Sequence, residues 1–277
     1  MTADVERRNT ASRVPTKACH AFELIVVADQ AALAQEAAER FAGFAEAAVA
    51  RVGRFTVALA GGSTPKLLYA LLATPSYRSR IPWHKSRIFW GDERCVPPDQ
   101  MESNYRMVEE TLLRHLPPPE GIYRMRGEDP DPDRAAADYE DLLRGAFELK
   151  AGELPRLDLI LLGMGADGHT ASLFPGSPAL TEVARLVVAT SVGTRHVVSV
   201  PQRLTLTLPV LNEASAVLFL VSGRDKAEML HSVLDGATPG DRLPAQRVRP
   251  RDGRLIWLAD RAAASLLDRS SGGGETR

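Results

Sequence analysis

The chain alternates between short, nearly continuous apolar runs and longer stretches whose apolar residues recur every three or four positions. The first kind of pattern predicts buried parallel strands and the second amphipathic helices. On this basis residues 22–27 (FELIVV), 55–60 (FTVALA), 86–94 (SRIFWGDER), 157–163 (LDLILLG), 216–222 (AVLFLVS) and 255–260 (LIWLAD) are expected strands. Between them lie expected helices at 30–53, 66–72, 103–116, 133–149, 226–234 and 261–267. Asp29 and Ser103 are suited to cap two of these helices, and Gly53 to stop the first. Strands and helices alternate without an internal repeat or an obvious linker. That predicts an α/β fold with a mainly parallel sheet flanked by helices, in one domain over residues 21–268. Residues 117–155 are rich in loops and are expected to form a small subdomain. Residues 1–20 and 269–277 are polar or glycine-rich and are expected to be flexible or disordered tails.

Composition narrows the function without naming it. Hydrophobic residues make up 44% of the 277 positions and the formal net charge is −1. Such a balance offers no strong field for nucleic acid or an anionic membrane. No apolar run reaches the ~18 residues of a membrane span. The polar N-terminus lacks the apolar core of a signal peptide. Cys19 and Cys95 form neither a disulfide framework nor a metal motif. The expectations are therefore a cytoplasmic protein, with no nucleic acid or membrane partner, monomeric with a dimer as the alternative.

Candidate chemistry collects where the strands end, which is where open α/β sheets bind ligands. After the strand at 55–60 comes Gly61-Gly62-Ser63-Thr64-Pro65, then a helix. Pro65 fits a first helical turn, and Gly62, Ser63 and Thr64 would present N–H groups and hydroxyls to an anion such as phosphate. A ligand-free capped turn is the plainer alternative. Asp92, Glu93 and Arg94 end another strand, either as a salt-bridge node or as a site. Arg94 offers a planar fork suited to phosphate or carboxylate. The strand at 157–163 runs into Gly163-Met164-Gly165-Ala166-Asp167-Gly168-His169. His169, beside Asp167 at a strand end, suits a general base at neutral pH, where an isolated histidine would be read as structural. Asp167 would orient its imidazole or contact substrate hydroxyls, and backbone N–H groups at 163–165 are candidate oxyanion donors. Cys95 has no partner base in the sequence. Lys226 reads as a solvated lysine, and His84, His115, His196 and His231 as ordinary histidines. No metal-ligand spacing is evident, so no metal is expected.

Taken together, ALAGGSTPKLLYALL, FWGDERCVPPDQMESNY and LILLGMGADGHTASLFPGS resemble the 6-phosphogluconolactonases, and RLTLTLPVLNEASAVLFLVSGRDKAEML and the segment 243–267 continue the likeness. The resemblance spans about residues 22–267. Glucosamine-6-phosphate deaminases share its general pattern. They carry Met-Asp-Glu-Tyr in place of Gly91-Asp92-Glu93-Arg94, and Phe-Asn-Glu-Pro in place of Ser172-Leu173-Phe174-Pro175. Both differences favour the lactonases.

The resemblance implies a Rossmann-like fold of the sugar-phosphate isomerase/deaminase type. It also implies hydrolysis of 6-phosphoglucono-δ-lactone to 6-phosphogluconate in the oxidative pentose phosphate pathway, with a sugar-phosphate lactone as the small-molecule partner and no cofactor. By it, His169 is the general base, and Gly62, Ser63, Thr64 and Arg94 bind the phosphate. Many members carry Ser-Pro-Lys-Pro-Pro before the RLTLT stretch, its lysine holding phosphate. Here the lysine slot falls near Val198, and Arg195, His196 and Arg203 are the candidates to replace its charge. An aminosugar-phosphate isomerase/deaminase and a non-catalytic sugar-phosphate-binding regulator are the alternative functions.

Overall fold

The computed structural model describes residues 22–192, 199–235 and 243–267. In chain order the elements are β1 (Glu23–Val27), α1 (Gln30–Val52), β2 (Phe55–Leu59), α2 (Ser63–Leu72), α3 (Pro75–Arg80), β3 (Ser86–Trp90), β4 (Asp92–Arg94), α4 (Asn104–Thr111), β5 (Gly121–Ile122), α5 (Pro132–Ala146), β6 (Leu159–Gly163), β7 (Val187–Ser191), β8 (Gln202–Leu206), α6 (Leu208–Leu211), β9 (Ala216–Val221), α7 (Ala227–Asp235), α8 (Pro244–Arg247) and β10 (Arg254–Asp260). Seven strands make one parallel sheet in the order β1-β10-β9-β6-β2-β3-β5. The apolar runs at its centre, β2 and β9, are buried at every position. Strands covered on both faces need no polar side, which is why these read as unbroken runs.

The expected caps form. Asp29 accepts the Ala32 N–H at 2.9 Å, and Gly53 ends α1 in the left-handed conformation at φ 77°. The buried face of α1 is largely alanine around Phe41, which meets Phe55 edge-on with ring centroids 5.5 Å apart. Small side chains bring this helix close to the sheet. Ser103 caps α4 through the Arg106 N–H at 3.1 Å.

Three differences from the sequence pattern bear on function. The run 86–94 is two strands broken at Gly91, whose N–H donates to the Leu59 carbonyl and whose carbonyl accepts from Leu206. β3 stays in the parallel sheet, while β4 crosses into a second, antiparallel sheet of order β4-β8-β7. Neither β7 nor β8 was expected. Residues 261–267 form successive turns rather than a helix. Residues 117–155 add β5 to the main sheet through β3, and α5 packs on β7 and β8.

From β2 the chain moves outward through β3 to β5, whereas from β6 it moves the other way through β9 to β10. The gap between β2 and β6 is thus a topological switch point, where connections diverge and leave a crevice at the strands' carboxyl ends.

Candidate active site

A cavity of about 410 Å³ opens at that crevice. Its walls come from the loops after β2, β3, β6 and β9, together with β4 and β8 of the second sheet.

On one side, the chain leaves β2 through Gly61 and Gly62 and enters α2. Gly62 sits at φ 102°, a left-handed conformation that a side chain would strain. Gly61 has no room for a side chain, because a Cβ there would collide with the Asn104 carboxamide. From beneath, the buried Tyr69 hydroxyl donates to the Ala60 carbonyl at 2.7 Å and accepts its N–H at 3.0 Å. Burial raises the Tyr69 phenol well above its ordinary range, so it stays neutral. The Ser63 and Thr64 hydroxyls make no hydrogen bond among the described residues, and both residues line the cavity. With the unpaired N–H groups of the first turn they form an anion cradle.

Arg94 and Arg203 stand directly opposite one another in the β4–β8 pairing. One Arg94 Nη donates to the Glu102 carbonyl at 2.5 Å, and Arg203 donates to the Val200 and Gln202 carbonyls. Neither guanidinium has a carboxylate within ion-pair distance among the described residues. Burial, then the facing charge of Arg94, lowers the pKa of Arg203. Two guanidiniums lining one cavity without a carboxylate ion pair among the described residues leave a place for an anion. Lys226, in the turn after β9, also lines the cavity and lies 3.2 Å from Asp225. This lysine was read as solvated. Its place on the cavity wall follows only from the seating of β9 beside β6.

On the loop after β6, His169 Nδ1 lies 2.5 Å from Asp167 Oδ1, which also accepts the His169 N–H at 3.1 Å. Burial raises the Asp167 carboxyl, but the hydrogen bond and charge of His169 outweigh it and hold the group well below the usual carboxylate range. An ionised Asp167 accepts a hydrogen bond from Nδ1–H, which leaves Nε2 as the basic nitrogen of the imidazole. Phe174 packs against the ring at 4.7 Å. The turn is tight. Gly165 donates to the His169 carbonyl at 2.9 Å, and a Cβ on Gly165 would strike the imidazole. That bond takes the Gly165 N–H out of the expected set of oxyanion donors.

The acidic pair between these walls is structural in its contacts. Glu93, buried, accepts the N–H groups of Arg94, Asn104 and Tyr105, each at 2.7 Å, and so fastens the start of α4. Burial pushes its carboxyl up to about 7, against those three bonds. Asp92 accepts from Ser172 Oγ at 2.7 Å and from Asn104 Nδ2 at 3.3 Å. Burial likewise pushes the Cys95 thiol up to about 11, which suits a bystander.

Gly62, Ser63, Thr64, Arg94, Arg203 and His169 are therefore gathered on one cavity, with Asp167 behind the histidine. Arg195, His196 and Val198 lie outside the described residues. Asn104 and Ser172 are cavity residues to which the sequence assigns no role, and Lys226, expected as a solvated lysine, joins them there. Among the described residues, no three His, Cys, Asp or Glu side chains cluster as metal ligands, and no helix is long and apolar enough to cross a membrane.

A carboxylate-backed histidine and an anion cradle that line one cavity at a switch-point crevice fit an α/β enzyme for small phosphorylated substrates. Comparison with known proteins narrows the class. A model described as glucosamine-6-phosphate isomerases/6-phosphogluconolactonase matches residues 28–257, and the chain belongs to that family. It is 43% identical over 221 residues to a 6-phosphogluconolactonase of Synechocystis sp., covering 79% of this chain and 88% of the relative. The solved 6-phosphogluconolactonase of Trypanosoma brucei is 30% identical with a TM-score of 0.80, over 90% of this chain and 100% of that one. A monomeric glucosamine-6-phosphate deaminase shares the fold at 21% identity and a TM-score of 0.73, over 88% of this chain and 100% of that one.

Proposed function

We propose that the protein hydrolyses 6-phosphoglucono-δ-lactone to 6-phosphogluconate, the step of the oxidative pentose phosphate pathway that its lactonase relatives are named for. The observation that carries the reading is that His169, backed by Asp167, lines one cavity with the Ser63–Thr64 cradle and the arginines Arg94 and Arg203. The substrate's phosphate lies among Gly62, Ser63, Thr64, Arg94 and Arg203, with Lys226 as a further cation. That places C1, at the other end of the molecule, toward His169. His169 Nε2 removes a proton from water as the water oxygen adds to C1. Asp167 holds the ring and stabilises the imidazolium that forms. The tetrahedral intermediate expels the ring oxygen, which takes the proton back from His169, and the new carboxylic acid ionises. General-base assistance of this kind supplies about 10²–10⁴ in rate. The remote phosphate supplies binding energy for orientation.

The isomerase/deaminase reading is weaker, because Ser172-Leu173-Phe174-Pro175 stands where the deaminases carry their glutamate. The test is an initial-rate assay with freshly made lactone, coupled to oxidation of the product and corrected for spontaneous hydrolysis. A rate no greater than background overturns the reading.

A further inference from the structure

The turn that carries His169 is tied down on its far side by contacts that the proton transfer itself does not require. Thr170 donates its hydroxyl to the Gly163 carbonyl at 2.9 Å. Ala171 then adopts φ 47°, a left-handed conformation that an L-residue enters only when its surroundings impose it. Ser172 follows, 1% exposed. Its Oγ donates to Asp92 at 2.7 Å and its N–H to Thr205 Oγ1 at 3.2 Å. Asp92 and Thr205 are themselves opposite one another on β4 and β8, and the same two strands place Arg94 opposite Arg203. One buried node therefore joins the histidine turn to the strands that carry the arginine pair.

We propose that Ser172 is a positioning residue: its bonds to Asp92 and Thr205 hold Ala171 in the left-handed conformation and so set the reach of His169 relative to Arg94 and Arg203. The proposal rests on the lactonase reading above. The substrate spans from a phosphate at one end to C1 at the other, so the spacing between arginines and base must match its length. A base works only within hydrogen-bond reach of the proton it takes. A shift of ~1 Å is enough to lower turnover by ~100-fold.

Ser172→Ala tests this. With the cradle and both arginines untouched, kcat should fall by about 30–100-fold while KM changes by less than about twofold. In a His169→Ala background the same substitution should alter the residual rate by less than about twofold, since no base remains to be misplaced. Melting curves and circular dichroism establish that each variant is folded. Wild-type kcat in folded Ser172→Ala overturns the proposal. So does an equal fractional loss in both backgrounds, which is what a merely structural serine would give. If Ser172→Ala does not fold, Thr205→Val removes the acceptor of the Ser172 N–H while keeping a β-branched side chain. It must show the same loss of kcat, steady KM and silence in His169→Ala, and any other result overturns the proposal. An inactive wild-type protein overturns the functional reading and the proposal together, whereas an active one indifferent to Ser172 overturns the proposal alone.

Discussion

Replacing Arg203 by methionine should make the resting protein more stable and the enzyme worse. Arg203 is only 9% exposed and faces Arg94 across the β4–β8 pair, with no carboxylate within ion-pair distance of either among the described residues. At an effective dielectric of ~20, like unit charges ~7 Å apart repel by ~2.4 kcal/mol, and the Asp92 and Glu93 carboxylates offset part of that at Arg203. Methionine keeps much of the stem that packs there and removes the charge. It also frees the Val200 and Gln202 carbonyls, which are near enough to the surface for water to satisfy them. The net gain is about 1–2 kcal/mol, and at ~2–4 °C per kcal/mol for a domain of this size the melting temperature should rise by roughly 2–8 °C. Turnover moves the other way. One lost charge-assisted hydrogen bond to phosphate, ~1.5–3 kcal/mol, lowers kcat/KM by about one to two orders of magnitude. The measurements are melting in phosphate-free buffer and initial rates on the phosphorylated lactone and on gluconolactone. The unphosphorylated lactone supplies the internal control: wild type and variant should process it about equally, and both poorly. Added inorganic phosphate should raise the melting temperature of the wild type more than that of the variant. A variant that melts lower and keeps its kcat/KM would refute the reasoning, because the arginine would then be a structural clamp rather than half of an anion site.

Other outcomes follow from the same geometry. Asp167→Asn should lower kcat by about 10²–10⁴ with little change in KM, since the ring loses the carboxylate charge that fixes its tautomer and stabilises its cation, as single-turnover and steady-state rates will show. The depressed Asp167 carboxyl also stabilises the fold above its unfolded pKa of ~3.9, and that contribution disappears as pH falls through the lower folded value, so the variant should have a flatter acid limb in melting curves. Glu93 is the opposite case. With its folded pKa raised to about 7, the native state binds the extra proton between the unfolded value of ~4.3 and 7, and its contribution to stability falls as pH rises through that window. The melting-temperature advantage of wild type over Glu93→Gln should accordingly shrink from pH 5 to pH 8. Gly61→Ala drives a Cβ into the buried Asn104 carboxamide, which is held in turn by the Asp92 carbonyl at 2.9 Å. It should destabilise by about 1–3 kcal/mol in denaturant melts and raise KM as the α2 cradle shifts.

Much of the parallel sheet is legible in the sequence, because a strand covered on both faces must be apolar throughout, whatever its neighbours. Residues 55–60 and 216–222 announce themselves in that way, and the caps at Asp29, Gly53 and Ser103 depend only on local backbone geometry. Ser63, Thr64, Asp167 and His169 stand out for a related reason: polar residues directly after a buried strand need an explanation. The antiparallel sheet is different. Val187–Ser191 and Gln202–Leu206 mix polar and apolar residues over five positions and become strands only through pairing with each other and with β4. The break at Gly91 is equally silent, since the apolar run gives no sign that the chain changes sheets there. Tertiary structure alone brings Arg203 opposite Arg94, Ser172 onto Asp92 and Lys226 to the cavity wall. Each is an ordinary polar residue in its own neighbourhood. Its significance comes from a partner distant in the chain, and local pattern carries no information about such a partner.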